Sequence, residues 1–358
     1  MSYKKISQQT PKNNAIRPNK LLGQNFLRDK NVLRKIIAAA NLTADDTVLE
    51  VGPGEGILTE ALAQSAGRVI AVEKDKNLAA LLKKKFKDSK SVEIVEGDIL
   101  SFLPRICHSR EGGNPVRGKL QQESRPWIPP YQVRGELSQA RDDKPFFLAP
   151  YKVVANIPYY LTSHLIRLLL ESTNPPQDII LMVQKEVAKR ICAKPPEMSL
   201  LAVSVQFYAE PQIIASVSKN AFWPKPKVDS AIIRITPRPW HHPQPISVIP
   251  AKVADPDARR AGIQTRIDQL PIEQLNNLKP GSRIKCGMTK TEIENFFRVL
   301  HAGFSHPRKQ LLNNLSAELK IPREDIAKFL QATGLNPGQR AETLSVEDWL
   351  KLTKQLFN

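Results

Sequence analysis

The 358-residue chain is long enough for two domains, and its 41% hydrophobic and 25% charged residues are ordinary for a globular protein. Its 53 Lys and Arg against 35 Asp and Glu give a net charge of +18, which favours a nucleic-acid partner over a membrane because no segment reaches roughly 18 consecutive apolar residues. The three cysteines are widely spaced, which argues against a disulfide framework and a cysteine zinc site. A basic surface that binds nothing is the alternative to a nucleic-acid partner.

The amino-terminal region divides into a tail and a first helix. Residues 1–19 are polar and basic and lack the apolar core of a signal peptide, so we expect a flexible tail. Asp29 can cap a helix whose apolar face recurs over residues 32–40. Gln24, Asn25 and Phe26 lead into this helix, where polar side chains can close over a cofactor; the alternative is that they are ordinary capping and packing residues.

Residues 47–56 form the stretch around which the rest is organised. A short apolar run with β-branched residues ends in glycines at positions 52, 54 and 56, which predicts a buried parallel strand that enters a tight turn. Apolar residues then recur at helical spacing, which predicts a helix directly after the turn. Glycines let the backbone pass close to a ligand, and free N–H groups at a helix start can hold its polar parts. We predict a nucleotide-like cofactor, with a ligand-free glycine turn as the alternative.

The second predicted strand, residues 68–72, ends at Glu73. An acidic residue at this position can accept hydrogen bonds from a ribose. The glycines are spaced G-x-G-x-G, whereas the dinucleotide fingerprint is G-x-G-x-x-G. This spacing favours S-adenosylmethionine over a nicotinamide cofactor.

A third strand over residues 92–96, after a helix over 77–87, leads to Asp98. This acid follows a strand end, where it can meet the amino group of an adenine, although a Gly-Asp pair taken singly is an everyday turn. Residues 107–147 show no sustained periodicity and make the connection to the next strand far longer than a crossover needs. We interpret them as an insertion that is dispensable for chemistry.

The strand predicted over residues 152–155 ends in Asn156-Ile157-Pro158-Tyr159. An Asn side-chain carbonyl and a neighbouring backbone carbonyl can each accept one N–H of an exocyclic amine, which frees the nitrogen lone pair. Proline fixes the turn, and the aromatic ring offers a flat surface to a base. The motif predicts methyl transfer to a base nitrogen.

Helices and strands continue to alternate after Tyr159. We predict helices over 161–170 and 184–190 and strands over 179–183, 213–217 and 231–235, and residues 199–208 stay ambiguous between the two. Residues 221–230 form a proline-stiffened loop with Phe222, Trp223, Lys225 and Lys227. That composition favours base stacking and phosphate contact, with a rigid connector as the alternative.

The carboxyl-terminal part is predicted to be a small all-α domain. Residues 238–289 are irregular, which indicates an insertion or linker. Thr291 and Glu294 have the spacing of a capping box, and further helices are expected over 311–319, 325–332 and 345–356. Five basic residues have two interpretations: they supply backbone contacts to RNA, or they are ordinary solvated surface residues. They are Arg298, His306, Arg308, Lys309 and Arg340.

Together these motifs resemble those of the ribosomal RNA small-subunit adenine N6-dimethyltransferase family. They recur in family order across nearly the whole chain outside the two irregular segments. The matching pieces are residues 23–27, 49–54, 72–73, 97–98, 156–159, 184–187, 222–230, 302–304 and 340–342.

The resemblance implies an α/β fold, with a Rossmann-like class I S-adenosylmethionine-dependent methyltransferase domain over 20–237 and an all-α domain over 290–358. The implied reaction adds two methyl groups to each of two adjacent adenosines in the 3′-terminal hairpin of small-subunit (16S) ribosomal RNA, a step in ribosome biogenesis. Implied cofactor contacts are Asn25, Leu27, Gly52, Glu73, Asp98 and Asn156. Implied catalytic residues are Asn156, Pro158, Tyr159 and Phe222, of which Tyr159 and Phe222 would hold the flipped base. A monomer acting on immature 30S subunits in the cytoplasm, without metal or membrane, is also implied.

The sequence departs from the family pattern in three places. Ile157 stands where Leu is common, a mild change because the backbone carbonyl does the work. Pro307 stands where a second arginine is usual, which puts one RNA contact in doubt. Segments 107–147 and 238–289 have no counterpart.

Two other functions fit part of the sequence. An adenine methyltransferase with a different nucleic-acid target would use the same Asn156 motif. The second alternative is a binding protein that keeps the methyltransferase fold without catalytic activity. The intact Asn156, Glu73 and Asp98 argue against it. The glycine spacing disfavours a nicotinamide oxidoreductase.

Overall fold

The structure is a computed structural model that describes residues 18–19, 23–107, 150–172, 174–238 and 288–357. The expected tail over residues 1–19 and the expected insertions over 107–147 and 238–289 lie almost entirely outside this part of the chain. At the edge of the first insertion, Cys107 is the last residue of a helix.

The first half of the described chain alternates strands and helices, as predicted. The elements are β1 (Phe26–Leu27), α1 (Lys30–Ala40), β2 (Thr47–Val51), α2 (Ile57–Ala63), β3 (Arg68–Glu73), α3 (Lys76–Lys85), β4 (Val92–Glu96) and α4 (Ile99–Cys107). Asp29 caps α1 as predicted, because its carboxylate accepts hydrogen bonds from the N–H groups of Asn31 and Val32.

The second half of the α/β domain continues the alternation of strands and helices and shows that residues 199–208 are helical. The elements are β5 (Tyr151–Asn156), α5 (Thr162–Leu170), β6 (Asp178–Gln184), α6 (Lys185–Ile191), α7 (Leu200–Tyr208), β7 (Ala209–Val217), β8 (Phe222–Trp223) and β9 (Ser230–Pro237). Residues 199–208 are helical because Ser199 caps α7 by accepting a hydrogen bond from Ala202 N at 3.1 Å. β7 starts at residue 209 rather than 213, since its first residues pair with β9.

The main sheet has seven strands in the order β4-β3-β2-β5-β6-β9-β7. The first five are parallel, and β9 runs antiparallel to both β6 and β7. In an open parallel sheet, ligands bind beyond the carboxyl ends of the strands, near the point where the strand order reverses. Here that point lies at the ends of β2 and β5.

The central strands β2, β3, β5 and β6 are buried on both faces, which explains why they are mostly apolar, whereas the edge strands β4 and β7 carry polar and partly exposed residues. Successive residues of a strand point to opposite faces. Val48 belongs to a core cluster with α1 and α2, whereas Leu49 belongs to a larger cluster with α5, α7 and the carboxyl-terminal helices. The alternation places two hydrophobic cores around one sheet.

The carboxyl-terminal domain is all-α, as predicted, with one correction to its first cap. Its helices are α8 (Lys290–Phe304), α9 (Leu311–Leu319), α10 (Arg323–Ala332) and α11 (Val346–Phe357). The capping box pairs Thr289 with Glu292, not Thr291 with Glu294 as predicted. The Thr289 hydroxyl accepts from Glu292 N at 3.2 Å and the Glu292 carboxylate accepts from Thr289 N at 2.6 Å, so the chain turns two residues earlier than the pattern indicated.

An aromatic cluster joins the two domains. The ring centroids of Phe207 on α7 and Phe296 on α8 lie 4.2 Å apart, and those of Tyr208 and Phe297 lie 5.7 Å apart. All four side chains are buried. Apolar burial therefore holds the helical domain on the α/β domain.

Candidate active site

An open pocket lies at the carboxyl ends of β2 to β5, with about 990 Å³ of space when its opening to solvent is included. The predicted site residues that line it are Asn25, Leu27, Gly52, Glu73, Asp98, Asn156, Pro158 and Tyr159. The fold thus brings together residues from five separate segments of the sequence.

The glycine turn between β2 and α2 requires its glycines. Gly52, Gly54 and Gly56 have φ values of 67°, 59° and 77°, a region that L side chains rarely adopt. A Cβ on Gly54 would also lie 2.9 Å from the Phe26 ring. The turn therefore leaves bare backbone at the pocket wall, as predicted for close approach of a ligand.

Glu73 ends β3 and is only 6% exposed. Its carboxylate accepts hydrogen bonds from Gly54 N at 3.1 Å and Asp75 N at 2.9 Å. Burial raises the pKa of Glu73, and the two N–H donors oppose that rise. The acid is held beside the glycine turn, where its remaining lone pairs face the pocket.

Asp98 follows β4 and lies at the pocket rim. One oxygen accepts from Leu100 N at 3.0 Å, and the other is 2.8 Å from the ammonium of Lys74. The hydrogen bond to Asp98 raises the pKa of Lys74. The carboxylate is thereby oriented from both sides.

Asn156 ends β5, and its side-chain amide is fixed by a distant segment. Asn156 Nδ2 donates to the backbone oxygen of Asn25 at 3.1 Å, while Asn25 Nδ2 donates to Gly23 O at 3.1 Å. A backbone carbonyl can only accept, so the NH₂ group of Asn156 must face Asn25. Asn156 Oδ1 is left as an acceptor on the pocket wall.

Tyr159 is fixed through its hydroxyl. Tyr159 Oη and Ser230 Oγ lie 2.8 Å apart, which ties the turn after β5 to the start of β9. Burial raises the pKa of Tyr159. Pro158, with φ of −57°, precedes it in the pocket wall.

Phe222 occupies a different place from the other predicted residues. It is 5% exposed, packs in the core cluster that contains Leu27 and Ile232, and is not part of the described pocket lining. It pairs directly with Leu27, which does line the pocket. Its role in holding a base stays a prediction.

Pairing between β1 and β8 was missed because each strand has only two residues. Phe26 lies opposite Trp223 and Leu27 opposite Phe222, and Arg28 N donates to Ala221 O at 2.8 Å. This pairing joins the segment that precedes α1 to the proline-stiffened loop. The two segments meet at the pocket.

Glu50 is a pocket residue that the sequence reasoning did not assign. It is 1% exposed, lines the pocket from within β2, and its Oε2 has no hydrogen-bond partner within the described part of the chain. Burial raises its pKa to about 8. The available signal was a charged residue inside an otherwise apolar strand.

The pocket fits S-adenosylmethionine chemically. The buried Glu50 oxygen has no hydrogen-bond partner in the described part of the chain, Glu73 and Asp98 offer acceptors, and the glycine turn lets a ligand approach the backbone. Among residues 23–107, 150–172, 174–238 and 288–357, no group of three or more His, Cys, Asp or Glu side chains is arranged to hold a metal ion. No helix in these same ranges combines the length and apolar character needed to cross a membrane.

Comparison with known proteins gives matches over nearly the whole chain. Residues 15–246 match the family model described as ribosomal RNA adenine dimethylase. A Dehalococcoides mccartyi protein named ribosomal RNA small subunit methyltransferase A is 36% identical over 94% of this chain and 88% of its own length. A Moorella thermoacetica protein of the same name is 32% identical over 95% and 92%.

Solved structures share the fold. The 23S rRNA methyltransferase ErmE is 24% identical with a TM-score of 0.58 and covers 93% of this chain and 100% of its own. A dimethyladenosine transferase from Plasmodium falciparum is 22% identical with the same TM-score, over 91% and 95%. Both likenesses support the predicted class I methyltransferase fold with a helical carboxyl-terminal region. The family match and the curated relatives show that this chain belongs to the ribosomal RNA adenine dimethylase family.

Proposed function

We propose that this chain transfers methyl groups from S-adenosylmethionine to the N6 atoms of two adjacent adenosines in the 3′-terminal hairpin of small-subunit ribosomal RNA, two to each. Family membership and the relatives named as small-subunit methyltransferases support this reaction and this cofactor. The observation that carries it is the position of Asn156, with its amide group fixed by Asn25 at the wall of the pocket.

The acceptors in the pocket support the proposed cofactor contacts. Glu73 would accept hydrogen bonds from the ribose hydroxyls of the cofactor, and Asp98 would accept one from its adenine amino group. Asn25, Leu27 and Gly52 form the backbone and apolar wall around them. When bound, the cofactor would supply an activated methyl group: the C–N bond forms as the sulfur–methyl bond breaks, and the sulfur leaves as a neutral thioether. The proton that the N6 amine loses passes to water, so no general base is assigned.

The target amine is held by two oxygens. In the first methyl transfer, Asn156 Oδ1 would accept one N–H and the backbone carbonyl of Ile157 the other; the monomethylated amine has one N–H left, which either oxygen can accept. Pro158 fixes the turn that presents this carbonyl. Tyr159 would offer its ring to the base from one side, and Phe222, which pairs with the pocket residue Leu27, would support the other.

The biological setting follows from the same substrate. We further propose that the enzyme acts as a monomer on immature 30S subunits in the cytoplasm. The net charge of +18 suits this partner, because cationic side chains neutralise RNA phosphates.

The test uses radiolabelled S-adenosylmethionine, unmethylated small subunits and mapping of the label. The wild-type protein should label the two adenosines. Asn156→Ala should lower the rate by at least about a hundredfold, because the amine loses one of its acceptors, while cofactor binding is weakened but detectable. Asn31→Ala on the exposed surface of α1 is the control and should behave as wild type. Near-normal turnover by Asn156→Ala would reject the assigned role.

A further inference from the structure

In the structure, the adjacent aromatic residues Phe222 and Trp223 differ in burial, although the sequence analysis gave both to one base-stacking loop. Because successive residues of a strand point in opposite directions, Phe222 and Trp223 of β8 face different environments. Phe222 is 5% exposed in the core, whereas Trp223 is 48% exposed. A large indole ring is therefore presented to solvent beside the pocket.

The Trp223 ring is held in place from within the protein. Its centroid lies 6.5 Å from that of Phe26 with an angle of 25° between the planes, and the Arg28 guanidinium lies 5.7 Å from it. Arg28 is itself fixed by Glu55 at 2.7 Å. A ring with restricted motion loses little conformational entropy when a ligand stacks on it.

The surroundings of Trp223 suit a polyanionic ligand with flat bases. Lys225 and Lys227 are exposed on the same loop, and the Arg28 side chain is 49% exposed. Phe26, which contacts the Trp223 ring, also lines the pocket. An aromatic ring bordered by cations and continuous with the catalytic pocket is the arrangement that binds single-stranded nucleic acid.

We propose that Trp223 stacks on the base of a nucleotide next to the methylated adenosine, while Lys225 and Lys227 contact the neighbouring phosphates. This role rests on the proposed function, since it requires an RNA whose target base enters the pocket. Trp223 would thus position the RNA strand without touching the reacting atoms.

The first test is steady-state kinetics of the full-length protein on unmethylated small subunits. Trp223→Ala should raise the KM for subunits by about tenfold or more, because one base loses its stacking partner, with kcat and the dissociation constant for S-adenosylmethionine changed less than about twofold. Trp223→Phe should recover most of the loss. Leu81→Ala, which truncates an apolar residue 45% exposed on α3, is the matched control.

The second test identifies the stacked nucleotide. Synthetic hairpins of the 3′-terminal sequence carry an abasic nucleotide at each position flanking the target adenosines in turn. One abasic position should weaken binding to the wild type and to Trp223→Phe but not further weaken binding to Trp223→Ala.

Two results would overturn the role of Trp223 while leaving the proposed function intact. One is an unchanged KM of Trp223→Ala together with normal labelling by wild type. The other is that wild type and Trp223→Ala are equally sensitive to every abasic position. Absence of label from wild-type reactions would refute the proposed function, and this inference with it. Thermal unfolding of each variant shows whether a loss of affinity comes from misfolding.

Discussion

At the scale of single residues, the side chains of the pocket are oriented by partners remote in sequence. Asn156 receives its orientation from a carbonyl 131 positions away, and Glu73 is held by an N–H of the glycine turn. An amide fixed in this way needs no reorganisation when a substrate amine arrives. The geometry of the candidate site is therefore set by the fold before any ligand binds.

Glu50 gives a prediction at this scale. Its pKa is raised by burial from 4.5 to about 8, so the folded protein holds a proton that the unfolded chain releases between these values. The stability contributed by this proton is present below pH 4.5 and is lost as the pH rises to 8. Wild type should lose free energy of unfolding between pH 5 and pH 9. Glu50→Gln has no proton to release at this position, so its loss over the same pH range should be smaller by on the order of 2–4 kcal/mol.

Denaturant unfolding of both proteins at the two pH values measures this difference. Glu210→Gln, at an exposed position on β7, is the control and should follow the wild-type pH dependence. Parallel pH curves for Glu50→Gln and wild type would show that the buried carboxyl does not carry a proton in the folded state.

At the scale of elements, short pairings and caps place the site more than helix and strand propensity does. The two-residue pairing of β1 with β8 brings the segment before α1 against the aromatic loop. Gly54 allows this approach, because any larger residue would meet the Phe26 ring. Both features act through contacts between elements, so neither shows as a periodic pattern.

The cap of α8 provides the prediction for an element. Thr289→Ala should lower the free energy of unfolding by about 1 kcal/mol, because the backbone N–H of Glu292 loses its acceptor. Thr291→Ala should change it by less than about 0.5 kcal/mol, since Thr291 is exposed within the first turn. Urea denaturation of the two variants compares the capping box seen in the structure with the one expected from spacing. A larger loss for Thr291→Ala would contradict the structure.

At the scale of the whole molecule, the two domains share one large core. Phe207 and Phe296 stack across the domain boundary, and within the helical domain Gly303 allows the Trp349 ring to pack against α8. The helical domain is thus joined to the sheet through α7 and not through the linker alone. This packing fixes the position of the helical domain relative to the sheet.

The connection between β4 and β5 gives a prediction for the whole chain. Parallel strands need a crossover, and α4 already supplies one before residue 107. Replacing residues 108–147 with a Gly/Ser linker of about eight residues should leave the fold and the rate of methyl transfer within about twofold of wild type. Circular dichroism melting and the labelling assay measure both. Collapse of folding would show that this segment is structural.

The sequence by itself determined the features that depend on residues close together in the chain. The apolar runs and glycine turn predicted β2 and its loop, the acids at strand ends predicted Glu73 and Asp98 in one pocket, and the motifs predicted the family. These signals are readable because burial on both faces of a parallel sheet leaves a local pattern.

Only the tertiary structure decided which of two adjacent aromatics is buried, where α8 is capped and that Glu50 faces the pocket. Each outcome depends on pairing between segments far apart in the chain, such as Phe26 with Trp223. Hydrophobic spacing along one segment holds no information about the partner that covers it. The contact between Asn156 and Asn25 is decided in the same way, because it exists only once β5 and the segment before α1 have been brought together.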